Sequence, residues 1–230
     1  MKNRIIVALD TDSPEAALAA VSVLWGEVGL FKVGMELFPR GGPGLIDRIH
    51  AKGAEVFLDL KFHDIPNTVA GAVKSAVALG VKFATVHASG GRAMLAAAAE
   101  AAAGSGTTIL AVTVLTSLDD ADLASVGFAL PAAEAVDRLA GLAVTAGIGG
   151  IVCSAREAAA VRNRVGKGVV LVTPGVRFPG DSEGDQKRVV TPFEAVRAGA
   201  DYIVVGRPIT KAADPVAAAR KFAADAGRAL

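Results

Sequence analysis

A disulfide is excluded, because Cys153 is the single cysteine among 230 residues. A lone thiol fits a reducing compartment. Following Ile151-Val152, it reads as a small buried core residue before it reads as a nucleophile. Charge of one sign is missing too: 24 lysines and arginines stand against 23 aspartates and glutamates, a formal net charge of +1. That balance gives no bias toward nucleic acid or acidic membranes, so any phosphate binding has to be local. Three scattered histidines argue against a metal site. A targeting segment is not apparent, since the apolar run after Met1-Lys2-Asn3-Arg4 is broken at Asp10. A long uncharged stretch between Arg138 and Arg156 contains Gly141, Gly147, Gly149 and Gly150, which suit a helix end and turn better than a bilayer span. These absences point to a cytoplasmic protein.

What is present is a large apolar content, 52% hydrophobic residues against 20% charged, enough for a sizeable core in one α/β barrel or two small domains. Eight short β-rich runs recur at Ile5–Leu9, Leu30–Val33, Val56–Leu60, Phe83–Val86, Ile109–Leu115, Ile151–Val152, Val169–Val172 and Tyr202–Val205. Alanine-rich helical stretches lie between them, at Ser13–Leu24, Leu45–Ala51, Val69–Leu79, Ala93–Ala102, Ala132–Ala146 and Ala212–Ala224. Their spacing suits βαβ units, and continuously apolar strands indicate a parallel sheet covered on both faces. Eight such strands suggest a (β/α)8 TIM barrel, with a doubly wound open sheet as the alternative. Gly-x-Gly-x-x-Gly is missing after the first strand, where Asp10-Thr11-Asp12-Ser13 stands instead, which weakens a dinucleotide-binding reading. Ser13-Pro14-Glu15 has the pattern of an N-cap with proline at the first helical position.

In a barrel, chemistry gathers at the carboxyl ends of the strands. The segment Asp59-Leu60-Lys61-Phe62-His63-Asp64 sets two carboxylates and an amine where the third strand ends. Side chains two apart on a strand share a side, so Asp59 and Lys61 face one space, while Asp64 lies in the following loop. A structural ion pair is the alternative to a functional cluster. Asp10 and Lys32 stand at the ends of the first two strands and add to the same concentration of charge. The charged stretch Val176 to Val190 lacks a helical apolar stripe and could be an idle loop. Its place after the seventh strand favours a mobile lid. His63 reads as a turn residue, His87 as a hydrogen-bonded strand-end residue and His50 as a helix-end residue, while Arg156, Arg162 and Arg164 read as a solvated basic helix face.

With these residues in place, the chain resembles the orotidine 5′-phosphate decarboxylase family, in its bacterial subfamily. The signature-like segment is Phe57-Leu58-Asp59-Leu60-Lys61-Phe62-His63-Asp64-Ile65-Pro66-Asn67-Thr68. Further support comes from Phe31-Lys32-Val33-Gly34, Leu115-Thr116-Ser117, Val172-Thr173-Pro174-Gly175-Val176-Arg177, Gln186 and Val205-Gly206-Arg207-Pro208. The resemblance implies a single-domain barrel over residues 1–230, with a phosphate-closing lid at about 176–190. It also implies a homodimer that needs neither metal nor organic cofactor and converts orotidine monophosphate to uridine monophosphate and carbon dioxide in pyrimidine synthesis. By the same resemblance Lys61 protonates C6, Asp59 sits beside the departing carboxylate, and Lys32 bridges Asp59 and the ribose. Asp64 crosses the dimer interface into the partner's site. Asp10 and Thr68 would contact the ribose region, Thr116 and Ser117 the pyrimidine amide edge. Pro174, Arg177, Gly206 and Arg207 would line the phosphate site, with Gln186 linking phosphate to pyrimidine.

Two rival readings stand beside this one. Magnesium-dependent sugar-phosphate decarboxylases or hexulose-phosphate synthases of the same barrel group share the Asp-x-Lys-x-x-Asp cluster. They lack the Leu115-Thr116-Ser117 and Gln186 features. A catalytically inactive nucleotide-binding module is the other rival, and it would have been free to lose Lys61 or Asp59.

Overall fold

The computed structural model describes residues 2–180 and 190–229. Strands β1 (Ile5–Ala8), β2 (Leu30–Gly34), β3 (Glu55–Phe62), β4 (Phe83–His87), β5 (Thr108–Val112), β6 (Gly150–Val152), β7 (Val170–Thr173) and β8 (Tyr202–Val205) pair in sequence order, all parallel. The circle closes through Ile5↔Ile203, Ile6↔Val204 and Val7↔Val205. This is the (β/α)8 barrel, and pairing of β1 with β8 removes the open-sheet alternative. Between the strands lie α1 (Pro14–Leu24), α2 (Phe38–His50), α3 (Pro66–Ala78), α4 (Gly91–Ala102), α5 (Asp120–Ser125), α6 (Ala132–Thr145), α7 (Ala158–Val165), α8 (Pro192–Arg197), α9 (Arg207–Thr210) and α10 (Pro215–Gly227). No helix among the described residues is long and apolar enough to cross a membrane.

Strand alternation divides the apolar residues into two layers. Ile5, Val7, Phe31, Val33 and Leu58 point outward and pack beneath the helices. Ile6, Ala8, Leu30, Phe57, Phe83, Leu110, Val172 and Val204 fill the barrel interior. Because both faces are covered, the strands read as unbroken apolar runs.

Helix boundaries follow local chemistry. Ser13 caps α1 by accepting from the Ala16 N–H at 3.1 Å, with Pro14 as the first helical residue. The expected helix Leu45–Ala51 is the regular part of α2, which is broken upstream at Gly42 (φ 55°) just before Pro43. Short α5 and α8 lack the length for a visible apolar stripe, yet each carries a reciprocal capping box, Asp119 with Asp122 and Thr191 with Glu194.

Three expectations need correction. The third strand runs to Phe62, not Leu60, so Asp59 and Lys61 both lie inside it. The fifth ends at Val112, not Leu115; its last rung to β6 is the Thr113 N–H donating to Val152 O at 3.2 Å, an oxygen that also accepts from the Thr113 hydroxyl at 3.0 Å. The chain then passes into a loop that brings Thr116 and Ser117 to the cavity. Arg162 is no solvated surface residue. Its guanidinium donates to the carbonyls of Gly166, Val169 and Gly199 and to Asp201 at 2.6 Å, clamping α7 to the base of β7 and β8.

Candidate active site

A cavity of about 400 Å³ opens at the carboxyl end of the barrel. Its floor is apolar, formed by Ala8, Phe57, Val112, Val152, Val172 and Val204, and its rim is polar. From the rim, the loop just after β1 supplies Asp10, β2 Lys32, and β3 Asp59 and Lys61. The loops after β5, β7 and β8 supply Thr116 and Ser117, then Pro174, Gly175 and Arg177, then Gly206 and Arg207.

The charged side chains form one alternating row. Lys32 Nζ donates to Asp10 Oδ1 at 2.9 Å and lies 3.7 Å from Asp59 Oδ2. Lys61 Nζ donates to both carboxylate oxygens of Asp59, each at 2.9 Å. Lys32, Asp59 and Lys61 are mostly withdrawn from water, whereas Asp10 is half exposed at the open end of the row. Charges this far from solvent are tolerated because each has an opposite partner. Gly34 keeps space for the row, since a Cβ there would lie 3.1 Å from Lys32 Nζ.

Asp59 and Lys61 reach the same cavity through irregular backbone. Opposite β4, Leu58 pairs with Ala84, but the next pairing is Phe62 with Val86. Four steps along β3 therefore match two along β4, a bulge with two extra residues. Within it Lys61 adopts φ 52°, the single non-glycine residue with positive φ among the described residues. Such a conformation costs about 1–3 kcal/mol in a residue with a side chain and persists where its surroundings impose it. Here the Lys61 N–H donates to Thr85 Oγ1 at 2.8 Å, and the Thr85 hydroxyl donates to Asp59 Oδ1 at 3.0 Å. In the sequence Thr85 is marked only as the one polar residue in the otherwise apolar run Phe83-Ala84-Thr85-Val86.

Across the cavity Gly175 (φ 77°) turns the chain after β7 and carries it to Arg177, which is buried at the wall and donates its N–H to Val190 O. Gly206 and Arg207 open α9 and also line the cavity, Gly206 next to the charged row, where a Cβ on it would lie 3.6 Å from Asp10 Oδ2. Two arginines thus stand in the cavity lining with the polar rim, above the apolar floor. The planar fork of an arginine matches phosphate oxygens.

Not every expected site residue joins this cavity. Asp64 and Thr68 are exposed, beyond the end of β3 and in the first turn of α3, and neither lines the cavity. Asp64 Oδ1 accepts from the N–H of Ile65 at 2.6 Å. Gln186 and most of the expected lid, residues 181–189, lie outside the described residues. His63 and His87 form a ring pair with centroids 5.3 Å apart. Burial foremost, then the neighbouring His63 and Lys61, hold the His87 imidazole below its ordinary 6.5, with Asp59 pulling the other way. Cys153 lines the cavity yet is buried, and desolvation pushes its thiol up to about 12, which agrees with a packing role. Among the described residues no three His, Cys, Asp or Glu side chains converge in a metal-holding group.

Comparisons with known proteins agree with one another. A family profile described as "Orotidine 5'-phosphate decarboxylase / HUMPS family" matches residues 3–222. A protein of Halorhodospira halophila named orotidine 5'-phosphate decarboxylase is 57% identical over 224 residues, spanning 96% of this chain and 95% of its own. One of the same name from Anaeromyxobacter dehalogenans is 58% identical over 221 residues, spanning 96% and 97%. The crystal structure of orotidine 5'-phosphate decarboxylase from Lactobacillus acidophilus superposes with a TM-score of 0.86 at 40% identity, over 96% of this chain and 98% of that one.

Proposed function

The chain belongs to the orotidine 5'-phosphate decarboxylase / HUMPS family, and on that premise we propose that it converts orotidine monophosphate to uridine monophosphate and carbon dioxide in pyrimidine synthesis. The observation that carries this reading is the alternating row Asp10–Lys32–Asp59–Lys61 in a cavity with an apolar floor, whose lining also includes Arg177 and Arg207.

Heterolysis of the bond between C6 and the carboxylate releases carbon dioxide and leaves the electron pair on C6, in the plane of the ring, where π-delocalisation cannot take it up. A cation fixed beforehand beside C6 stabilises that pair as it forms, at no reorganisation cost in the step itself. The Lys61 ammonium is that cation, and its proton then passes to C6, leaving a neutral amine that solvent reprotonates. Asp59 orients Lys61 through both its oxygens, and Lys32 holds Asp59 from the other side while reaching toward the ribose with Asp10. Ser117 and Thr116 read the amide edge of the base. Arg177, Gly206 and Arg207, with Pro174 at the wall and Gln186 from the lid, hold the phosphate. Binding energy from that unreactive group favours the closed site.

The protein acts in this reading as a cytoplasmic homodimer that requires no cofactor. Asp64 and Thr68 sit outside the cavity of their own chain, and delivery of Asp64 into a neighbouring site gives it a role there. Occupation of both Asp59 oxygens by Lys61 leaves little room for a magnesium ion holding an enediolate, which favours the nucleotide over the sugar-phosphate reading. The test is the ultraviolet absorbance of orotidine monophosphate mixed with the purified protein in excess EDTA. Loss of the orotate band with uridine monophosphate as product is expected. Uridine monophosphate binding without turnover would move the reading to the inactive module, and magnesium-dependent turnover of a sugar phosphate would replace it.

A further inference from the structure

Thr85 has no exposed surface and does not line the cavity, yet its one hydroxyl makes two bonds at the base of the charged row. The direction of both bonds is determined by chemistry. The Lys61 backbone N–H can only donate and an ionised Asp59 can only accept, so the hydroxyl accepts from the first at 2.8 Å and donates to the second at 3.0 Å. It therefore stands between the backbone from which Lys61 springs and the carboxylate that receives the Lys61 ammonium. The bulge takes that N–H out of the regular ladder with β4, and a buried backbone donor left unpaired would be destabilising. The left-handed Lys61 backbone is a further cost that something must offset. Branching at Cβ restricts the Thr85 side chain to few rotamers, so the hydroxyl is held in place without help from a ligand.

We propose that Thr85 is a positioning residue for the decarboxylation assigned above, its hydroxyl holding Lys61 in the left-handed bulge and Asp59 in the orientation that pairs with the Lys61 ammonium. The inference rests on that functional reading for its kinetic consequence but not for its geometry. Thr85→Val keeps the shape and removes the hydroxyl, while Thr85→Ser keeps the hydroxyl and removes the methyl group.

The test compares these two variants with wild type by steady-state kinetics on orotidine monophosphate and by crystallography. Thr85→Val is expected to lower kcat about 10- to 100-fold with KM within about threefold, because misplacement by an ångström at a reacting group has that scale while Thr85 itself does not line the cavity. Thr85→Ser is expected within about threefold of wild type in both parameters. In the Thr85→Val crystal structure the Lys61 φ should turn negative or the Asp59 carboxylate rotate away from Lys61 Nζ. Equal kcat in the Val and Ser variants, or a Val structure with the Lys61 bulge and the Asp59–Lys61 pair unchanged, would overturn the proposal. If Thr85→Val does not fold, Thr85→Ala takes its place in the same comparison with Thr85→Ser, under the same criteria. A wild-type protein that leaves orotidine monophosphate intact overturns the functional reading alone, and the crystal comparison then still decides whether Thr85 holds Lys61 and Asp59.

Discussion

Strands β3 and β4 are built differently at their two ends. At the lower end Phe57 and Phe83 pair in register and meet edge to face, with ring centroids 6.0 Å apart and planes at 87°, and Tyr202 meets Phe83 at 5.2 Å. All the backbone there is regular, and the aromatic pair adds about 0.5–1.5 kcal/mol beyond the burial of its area. Two residues further along the same strands the ladder breaks, Lys61 turns left-handed, and apolar side chains give way to Asp59, Thr85 and Lys61. Packing that is cheap at one end secures geometry that is costly at the other. The charged row occupies the stretch where the strand is irregular, with Lys61 inside the bulge at a reversed φ and its Nζ on both oxygens of Asp59.

Changes at the two ends should separate activity from stability. Lys61→Ala should have the largest effect, a loss of about 10⁴-fold in kcat with nucleotide binding retained, since the general acid and the pre-placed cation go together. Steady-state turnover and uridine monophosphate titration check it, and normal turnover would remove Lys61 as proton donor. Mixing inactive Lys61→Ala with inactive Asp64→Ala protein comes next. If sites are shared across a dimer, random exchange should restore about a quarter of wild-type activity, because half the dimers are mixed and each has one intact site. No recovery after demonstrated exchange would return Asp64 to an ordinary loop residue. At the lower end Phe83→Ala should cost about 3–5 kcal/mol of stability through the cavity it leaves, with kcat per folded molecule little changed. Urea denaturation alongside turnover measures both, and a large fall in kcat with unchanged stability would contradict the division between the two ends.

The smallest expected effect lies at the boundary. The His87 imidazole titrates below its ordinary 6.5 in the folded protein, chiefly because of burial. The unfolded chain therefore binds the proton first as pH falls. Stability contributed by keeping His87 neutral is complete above 6.5 and declines as pH drops from there through the lower folded value. His87→Gln should give a shallower acid limb in a plot of melting temperature against pH. An identical limb would show that the imidazole does not titrate differently in the two states.

Much of this was legible in one dimension. Asp10, Lys32, Asp59 and Lys61 stand out because charges at the ends of apolar runs break a pattern. The Ser13-Pro14 cap is local chemistry that any helix start obeys. The clamp made by Arg162 is not legible in the sequence, since its acceptors at Gly199 and Asp201 lie 37 and 39 positions along the chain. Thr85 is inconspicuous for a related reason: its partners sit 24 and 26 positions earlier, and threonine is an ordinary strand residue until those partners are known.

The sequence by itself determined eight apolar strands alternating with helices and the gathering of Asp10, Lys32, Asp59 and Lys61 at strand ends, because both rest on short-range periodicity and on residue type, while closure into a barrel came only with the pairing of β1 and β8. Tertiary structure alone decided the register of β3 against β4, the left-handed Lys61 and the hydroxyl that supports it. Register is a property of two strands together, since side-chain alternation along either one is equally compatible with a regular ladder or a bulged one. Only when Leu58 and Phe62 are both paired with β4 does the surplus of two residues exist, and with it the geometry of the row.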